Sequence, residues 1–393
     1  MWWASAISEK PRLDEALQEG VAGVRARIGG TPDLLVVFVS PQHRAAAPLI
    51  PGRLQEMFGG GLVIGSTGAG VIGGGREVER RPAISLTAAR LPNARIAPFR
   101  VAPGVIPAGD PVAWHARVGV TPEQQPAFVL LADPFSCDAA GLAGTLDAAW
   151  PGAVKVGGLA SGGMAPGQNA LFLDGEAHDA GAVGVALWGD VVVDAVVAQG
   201  CRPVGSPARV TRCEGNVVFE LDGRPAVLVL EALLYAMTDA DRELFRRSPM
   251  VGLAIGEGAT GRRPGDFLLR NLIGLDRKAG AIGVGWPIVE GQALQFHVRD
   301  AAASAADLDA ALVRHRAEAP PTAAAGALLF SCLARGEAFF GAPDHDSDAF
   351  RRHLGDVPIG GVFCNGEIGP VRGSTYIHGY TSSFGVFRPR GWD

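Results

Sequence analysis

Three short apolar runs, Leu34–Val39 (LLVVFV), Ala127–Leu131 (AFVLL) and Ala327–Phe330 (ALLF), stand apart from the rest of the chain as runs of strand formers. Each is followed, after a segment able to cross over as a helix, by an apolar stub that breaks into glycines. The stubs are Val63-Ile64-Gly65-Ser66-Thr67-Gly68-Ala69-Gly70, Val156-Gly157-Gly158-Leu159-Ala160-Ser161-Gly162-Gly163 and Ile359-Gly360-Gly361-Val362-Phe363-Cys364-Asn365-Gly366. The pattern predicts one strand–helix–strand–glycine unit used three times, with a ligand expected at the glycine ends, where backbone is open to approach. Spacing between the copies is too irregular for a solenoid.

Around these units the periodicity predicts a first helix over Leu13–Ile28, with Leu13, Ala16, Leu17, Val21 and Val24 on one stripe. A short crossover helix is expected at Arg53–Phe58, a polar hinge at Arg76–Arg81, a strand at Ala83–Leu91 and a second crossover helix near 138–149. A meander follows over Ala170–Leu173, Ala182–Trp188 and Val191–Ala198. Near residue 222 the composition shifts. Asn216–Leu221 alternates like an edge strand, and Asp222-Gly223-Arg224-Pro225 reads as a turn and helix start, giving a helix at 225–237. Strands near 250–256, 266–273, 281–286 and 292–298, a helix at 306–318, a loop at Ala319–Thr322, a helix at 346–354 and a last strand at Thr381–Arg388 complete the prediction.

Composition narrows the class. Hydrophobic residues at 48% and charged residues at 19% of 393 describe a folded chain of two or three domains. A formal charge of -5 supplies no basic field for nucleic acid. Lys10, Lys155 and Lys278 are the only lysines; the arginine bias fits a GC-rich bacterial genome. The stretch Ala180–Gly200 carries Asp190 and Asp194 and reads as two strands around a turn, so no membrane segment is expected. The start, Met1-Trp2-Trp3-Ala4-Ser5, does not read as a signal peptide, and five cysteines without a CxxC fit a reducing cytoplasm.

Several motifs lose to plainer readings. Gly68-Ala69-Gly70-Val71-Ile72-Gly73 matches GxGxxG, but Gly73-Gly74-Gly75 forbids the helix that a dinucleotide site requires, so a glycine-rich loop or bulge is expected. Asp344-His345-Asp346-Ser347-Asp348 opens like a calcium loop but lacks its glycine and terminal glutamate; its acids are expected to complement a helix dipole. No metal or cofactor is expected. Two segments keep chemical interest: Phe330-Ser331-Cys332-Leu333-Ala334-Arg335-Gly336 and Phe363-Cys364-Asn365-Gly366-Glu367 leave buried strands with polar groups at their ends. Arg335 can hold a carboxylate bidentately and Glu367 an ammonium, which would suit a zwitterion. Alternatively the two pair with each other, and Cys332 and Cys364 simply pack.

These residues resemble the FIST family, sensory modules of bacterial signalling proteins and of a eukaryotic F-box protein. The likeness runs through Leu62–Gly70, Val156–Ala160, Gly181–Leu187, the junction Glu220–Ala226, then Phe330-Ser331-Cys332, Arg335-Gly336, Gly366-Glu367-Ile368, and His378 with Thr381. The resemblance implies a small-ligand sensor, with amino acids or related metabolites proposed as ligands; some relatives bind haem and sense nitric oxide. Since no output segment is recognised, the signal is expected to leave through a separate signalling protein.

The expected architecture is α/β, with mixed sheets and helices in α-β-β-α layering. It is divided into an N-terminal sensory module at 31–222 and a C-terminal one at 223–388. A small polar metabolite is expected to bind in the cytoplasm at Arg335, Glu367, Cys332, Asn365, Cys364 and His378. The rivals are a cysteine hydrolase or transferase built on Cys332, His378 and Glu367, and a haem-based gas sensor.

Overall fold

The computed structural model describes residues 1–104, 110–255, 267–318 and 324–391. The loop expected at Ala319–Thr322, and the ends of the strands expected at 250–256 and 266–273, lie wholly or partly outside the described residues. The chain enters with β1 (Trp2–Ser8), which the sequence reading missed, and α1 (Leu13–Ile28). The first unit is β2 (Leu34–Val39), a 3-10 segment at Pro41–Leu49, α2 (Ile50–Phe58), β3 (Leu62–Thr67), the hairpin β4 (Gly70–Gly73) and β5 (Arg76–Glu79), and β6 (Ile84–Arg90). The expected hinge at 76–81 is therefore a strand and its turn. After β7 (Ala94–Val101) and α3 (Pro111–Val118), the second unit repeats the plan. It comprises β8 (Ala127–Ala132), α4 (Ala139–Ala149), β9 (Lys155–Leu159), hairpin β10 (Leu171–Leu173) and β11 (Glu176–His178), and β12 (Ala182–Gly189).

β13 (Val192–Gln199) leads to a separate compact unit, residues 199–307. This unit holds β14 (Cys201–Glu214), β15 (Val217–Leu221), β16 (Arg224–Pro225), α5 (Ala226–Ala236), α6 (Asp239–Arg247), β17 (Pro249–Ala254), β18 (Phe267–Asp276), β19 (Ala281–Val284) and β20 (Ala293–Arg299). Its strands form one seven-stranded sheet, and Val227, Leu230 and Phe245 of the helices pack with Val251, Leu294 and Phe296 in its core. The chain returns through α7 (Ala301–Glu318) to the third repeat in the larger compact unit, residues 1–198 and 308–393. That repeat is β21 (Gly326–Cys332), α8 (Glu337–Phe340), α9 (His345–Leu354), β22 (Ile359–Cys364), hairpin β23 (Glu367–Val371) and β24 (Ser374–His378), and β25 (Thr381–Arg388).

Within the larger unit three six-stranded sheets share one order: β1-β6-β2-β3-β10-β11, β7-β12-β8-β9-β23-β24 and β13-β25-β21-β22-β4-β5. The centre of each is a parallel pair, β2/β3, β8/β9 or β21/β22, linked by a helical crossover. Each repeat gives its hairpin to another repeat's sheet: the first to the third, the second to the first, the third to the second. A polar bond fastens each exchanged hairpin to its host. Gln55 Nε2 of α2 donates to Asp174 of the second hairpin at 2.6 Å, and Thr375 of the third donates to Asp147 of α4 at 2.7 Å. The first hairpin's Glu77 takes the N–H of Ser347 in α9 at 2.7 Å.

The alternation of side chains along each central strand explains the layers. Val36, Phe38, Val129, Leu131, Leu328 and Phe330 meet in one core shared by the three sheets. Their neighbours in sequence face outward under helices: Leu35 and Val37 under α1 and α2, Phe128 and Leu130 under α3 and α4, and Ala327 and Leu329 under α7 and α9. The fold is mixed α/β as expected, and any two of the three walls reproduce α-β-β-α layering.

Candidate functional site

The glycine stubs are strand ends in all three repeats, and register makes Gly65, Gly157 and Gly361 equivalent. Each faces the backbone of its parallel partner so closely that a Cβ would stand 1.8 Å from the carbonyl oxygen of Val37, 1.8 Å from that of Leu130 and 2.0 Å from that of Leu329. Beyond them the chains bond to one another in a ring. Ser161 N–H donates to Thr67 O at 3.3 Å and Asn365 N–H to Leu159 O at 3.1 Å. The third side is bridged, with Ser161 Oγ accepting from Ala69 N–H at 2.9 Å and donating to Phe363 O. The glycine ends therefore hold the repeats to each other, where the sequence reading expected backbone open to a ligand.

At the end of the third repeat this frame carries charge. Arg335, 1% exposed, is bidentate to Asp346: Nε donates to Oδ2 at 3.1 Å and Nη2 to Oδ1 at 3.0 Å. Asp346 also accepts from Ser331 Oγ at 2.9 Å and from Ser382 Oγ, and lies 3.0 Å from His345 Nδ1. Phe340 closes the cluster, stacked on His345 with centroids 3.5 Å apart and 5.2 Å from the Arg335 guanidinium carbon. Burial opposes the charge of Asp346, but the Arg335 guanidinium, with His345 and Ser382, holds its carboxyl well below the usual carboxylate range. Arg335 thus pairs with Asp346, and neither of the two partners expected for it, a ligand or Glu367, takes this bidentate edge. Asp346 and Asp348 do stand in the first turn of α9, as expected of acids complementing its dipole, and Asp346 serves in addition as the counterion of Arg335.

Glu367 begins β23 opposite Gly158 and beside His378 in register. It is fully buried, and Thr381 N–H donates to its Oε2 at 3.2 Å. Burial pushes its carboxyl well above the ordinary range, against the pull of the Thr381 N–H and of Arg335. Arg335 Nη1 and Glu367 Oε1 are buried without a protein hydrogen-bond partner, although the neighbouring Cys332 thiol also pulls on the Glu367 carboxyl. Cys332 lies beside them, its thiol pushed up to about 12 by burial and by Glu367. Cys364 pairs with Cys332 across the parallel strands, and its sulfur fills the space beside Gly158, where a Cβ would lie 2.1 Å away. His378 is buried with Nε2 donating to Gly369 O at 3.1 Å, whereas the side chain of Asn365 is exposed. The structure therefore gathers Arg335, Glu367, Cys332 and Cys364, places His378 on the adjoining strand and leaves Asn365 at the rim.

Asp346, Ser331, Ser382 and Glu77 escaped the sequence reading. Glu77 and Asp344 cap each other's segments: the Glu77 carboxylate takes Ser347 N–H, and Asp344 Oδ1 takes Glu77 N–H at 2.6 Å. Burial, then Asp346 and Asp344, push the Glu77 carboxyl up to about 8. Glu79 similarly receives Glu337 N–H at 2.8 Å, and its carboxylate occupies the space a side chain at Gly336 would need. A signal was present, since alternate acids in Asp344-His345-Asp346 could be matched with Arg335. Nothing local in the sequence brings β5 to α9. Among the described residues no group of three His, Cys, Asp or Glu is placed to hold a metal ion, and no helix is long and apolar enough to cross a membrane.

The three-sheet frame carries one chemically distinct strand end, the charged cluster of the third repeat. Two family models match the chain: the FIST N domain matches residues 33–224 and the FIST C domain residues 226–370. The chain belongs to the FIST family, whose domains serve sensing and signal transduction. An uncharacterized protein of Mycobacterium tuberculosis is 37% identical over 385 residues, covering 97% of this chain and 98% of its own length. An uncharacterized protein of Mycobacterium bovis is 33% identical over 386 residues, 97% of each chain. An F-box/LRR-repeat protein of Arabidopsis thaliana is 34% identical over 85 residues, 21% of this chain and 16% of that protein. The boundary between the two family models falls at 224–226, whereas the compact units divide at 198–199 and 307–308.

Proposed function

We propose that this chain is a cytoplasmic bacterial sensor that binds a small polar metabolite, an amino acid or a close relative, and signals through a separate partner protein. The observation that carries the reading is the pair of partnerless polar atoms on two buried ionisable side chains, Arg335 Nη1 and Glu367 Oε1. An unmade hydrogen bond to a charged group is costly in a core, so a ligand that supplies both bonds gains from both. Because Arg335 is already committed to Asp346 along its Nε/Nη2 edge, it offers a ligand acceptor the two N–H groups of Nη1. Glu367, its carboxyl pushed well above the ordinary range by burial, can donate to an acceptor when protonated, or ionise against an ammonium that enters with the ligand. Leu333, next to Cys332 in sequence, and Asn365, two residues before Glu367, are exposed.

The cysteine-enzyme alternative needs a thiolate at Cys332, and a thiol pushed up to about 12 is poorly suited to that role. The test is thermal melting of the full chain across amino acids, dicarboxylates and nucleotides. A ligand at one hundred times its dissociation constant should stabilise the folded chain by about 2.7 kcal/mol. Glu367→Gln, which keeps the shape, should abolish that response while leaving the unliganded melting temperature close to wild type. A screen without a single responding metabolite, or an undiminished response in Glu367→Gln, would overturn the assignment.

A further inference from the structure

A different cavity, of about 330 Å³, opens where the exchanged hairpin of the first repeat meets the third. Its walls come from β1 (Ser5), the last turn of α1 (Arg27), the hairpin turn (Gly74 and Gly75) and α9 (Ser347 and Arg351). Gly74 and Gly75 both lie in the left-handed region, at φ 57° and 76°, and a Cβ on Gly75 would stand 2.2 Å from Arg351 Nη2. The turn is glycine because a guanidinium rests against its backbone: Arg351 Nη2 donates to Gly75 O at 2.9 Å, and Nη1 to Asp348 at 3.0 Å. These bonds fix the Arg351 plane. Its Nε edge is 4.0 Å from Asp356, a carboxylate 97% exposed and too distant for a hydrogen bond. Arg27 reaches the same cavity from α1. Its one protein contact is a 3.5 Å bond from Nη1 to Ser5 O, and it makes no ion pair among the described residues.

From this convergence we infer that the cavity is a binding site for a small oxyanion, a phosphate or carboxylate group held between Arg27 and Arg351. Two guanidinium groups lining one cavity, one of them with no ion pair among the described residues, suit an oxyanion, since planar N–H forks match its oxygens; the Asp356 carboxylate lines the same cavity and opposes it. The site lies within a chain of net charge -5, so attraction is local to the cavity and general ion binding would not reproduce it. Both rims belong to different repeats, and an anion seated there would tie the exchanged hairpin to α9 as Glu77 does from the other side.

Isothermal titration of the full chain with sodium phosphate at low ionic strength tests this, with sodium acetate as a second arm. Saturable phosphate binding should weaken about tenfold or more in Arg27→Ala and in Arg351→Ala, the scale of one lost charge-assisted bond, and remain in Arg246→Ala, an exposed arginine elsewhere. Acetate that competes with phosphate would extend the ligand class to carboxylates; acetate that does not would restrict it to phosphates. Arg351→Ala also loses the bond to Gly75 and can loosen the hairpin, so Arg27→Ala, which removes one long contact, decides the matter. Wild-type affinity in Arg27→Ala, or no saturable binding by the wild-type chain, overturns the site.

Discussion

The same backbone position closes the first strand of all three repeats, and the three are filled very differently. Ser40 and Asp133 follow the last residues of β2 and β8, and Cys332, at the equivalent place by register, is the last residue of β21. In the first repeat Ser40 exchanges two bonds with Ala83, its Oγ accepting at 2.9 Å and its N–H donating at 2.9 Å. In the second, Asp133 is fully buried but satisfied by Asn169 Nδ2 at 2.9 Å, Ser136 Oγ at 2.5 Å and Phe135 N–H at 3.2 Å. The third carries Cys332 within a cluster of Arg335, Asp346 and Glu367. At the position of Glu367 the other hairpins have Val71 and Leu171, as register shows. Orphaned polar atoms also occur at the first repeat's end, Ser66 Oγ and His43 Nε2, but burial keeps that imidazole neutral. Only neutral groups or a closed network fill the first two strand ends. The third places two ionisable groups where each keeps an unpartnered polar atom, and that asymmetry separates the third strand end from the other two.

The largest effects should come from breaking the charged end. Asp346→Ala leaves the Arg335 guanidinium buried without its counterion and should cost about 3–5 kcal/mol. Asp133→Ala, the matched change in the closed network, removes a carboxylate that pairs with no cation and should cost about 1–3 kcal/mol. Urea unfolding of both variants compares them directly. Equal losses would mean that the two strand ends differ in composition but not in energetics, and the asymmetry would lose its meaning.

The repeated unit was legible because each copy is a local pattern: an apolar run, a crossover, a run into glycines. The helix at Leu13–Ile28 and the strand at Thr381–Arg388 coincide with α1 and β25 for the same reason. Exchange of hairpins was not legible, since the pairing of β4 with β22 joins residues far apart in sequence and leaves no periodic mark. β1 was missed because Trp2–Ser8 is short and precedes the first recognisable helix signal; its strand character comes from pairing with β6. In the candidate site the residue types at Arg335 and Glu367 were readable, while their partners were not. Arg335 finds Asp346 eleven residues on, across a loop and a short helix, and the choice between Asp346 and Glu367 is made by the packing of α9.

A smaller effect would sharpen the comparison at the glycines. Gly157 and Gly158 are adjacent, yet they are glycine for different reasons. A side chain at Gly157 meets the Leu130 carbonyl, which the parallel ladder fixes, whereas one at Gly158 meets the sulfur of Cys364. Gly158→Ala should therefore cost about 1–3 kcal/mol by overpacking. In a Cys364→Ala background most of that cost should vanish, a coupling that thermal or urea unfolding of the four-member cycle measures. Gly157→Ala should show no such relief. Relief at both positions, or at neither, would remove the distinction between a glycine required by the frame and one required by the third repeat's own side chains.

The last comparison concerns the latch that carries the first hairpin to the charged end. Glu77 is buried against Ser347 N–H with Asp346 and Asp344 as its acidic neighbours, and its carboxyl rises from an ordinary 4.5 to about 8. A carboxyl raised in the folded chain keeps a proton that the unfolded chain releases. Its contribution therefore makes stability fall as pH climbs from about 4.5 to about 8, with no further change above that and none below the lower value. Glu77→Gln retains an oxygen to accept from Ser347 but cannot ionise. Its melting curve should coincide with wild type near pH 4.5 and exceed it increasingly toward pH 8, by several degrees, since each pH unit between the two values is worth about 1.4 kcal/mol. The equivalent latches, Gln55 with Asp174 and Asp147 with Thr375, place no second carboxylate against the first, so Gln55→Ala and Thr375→Ala should shift stability by amounts that do not grow over this window. Parallel pH profiles for wild type and Glu77→Gln would show that the first hairpin is held no differently from the other two. Its proximity to Asp346 would then be without energetic consequence for the charged end.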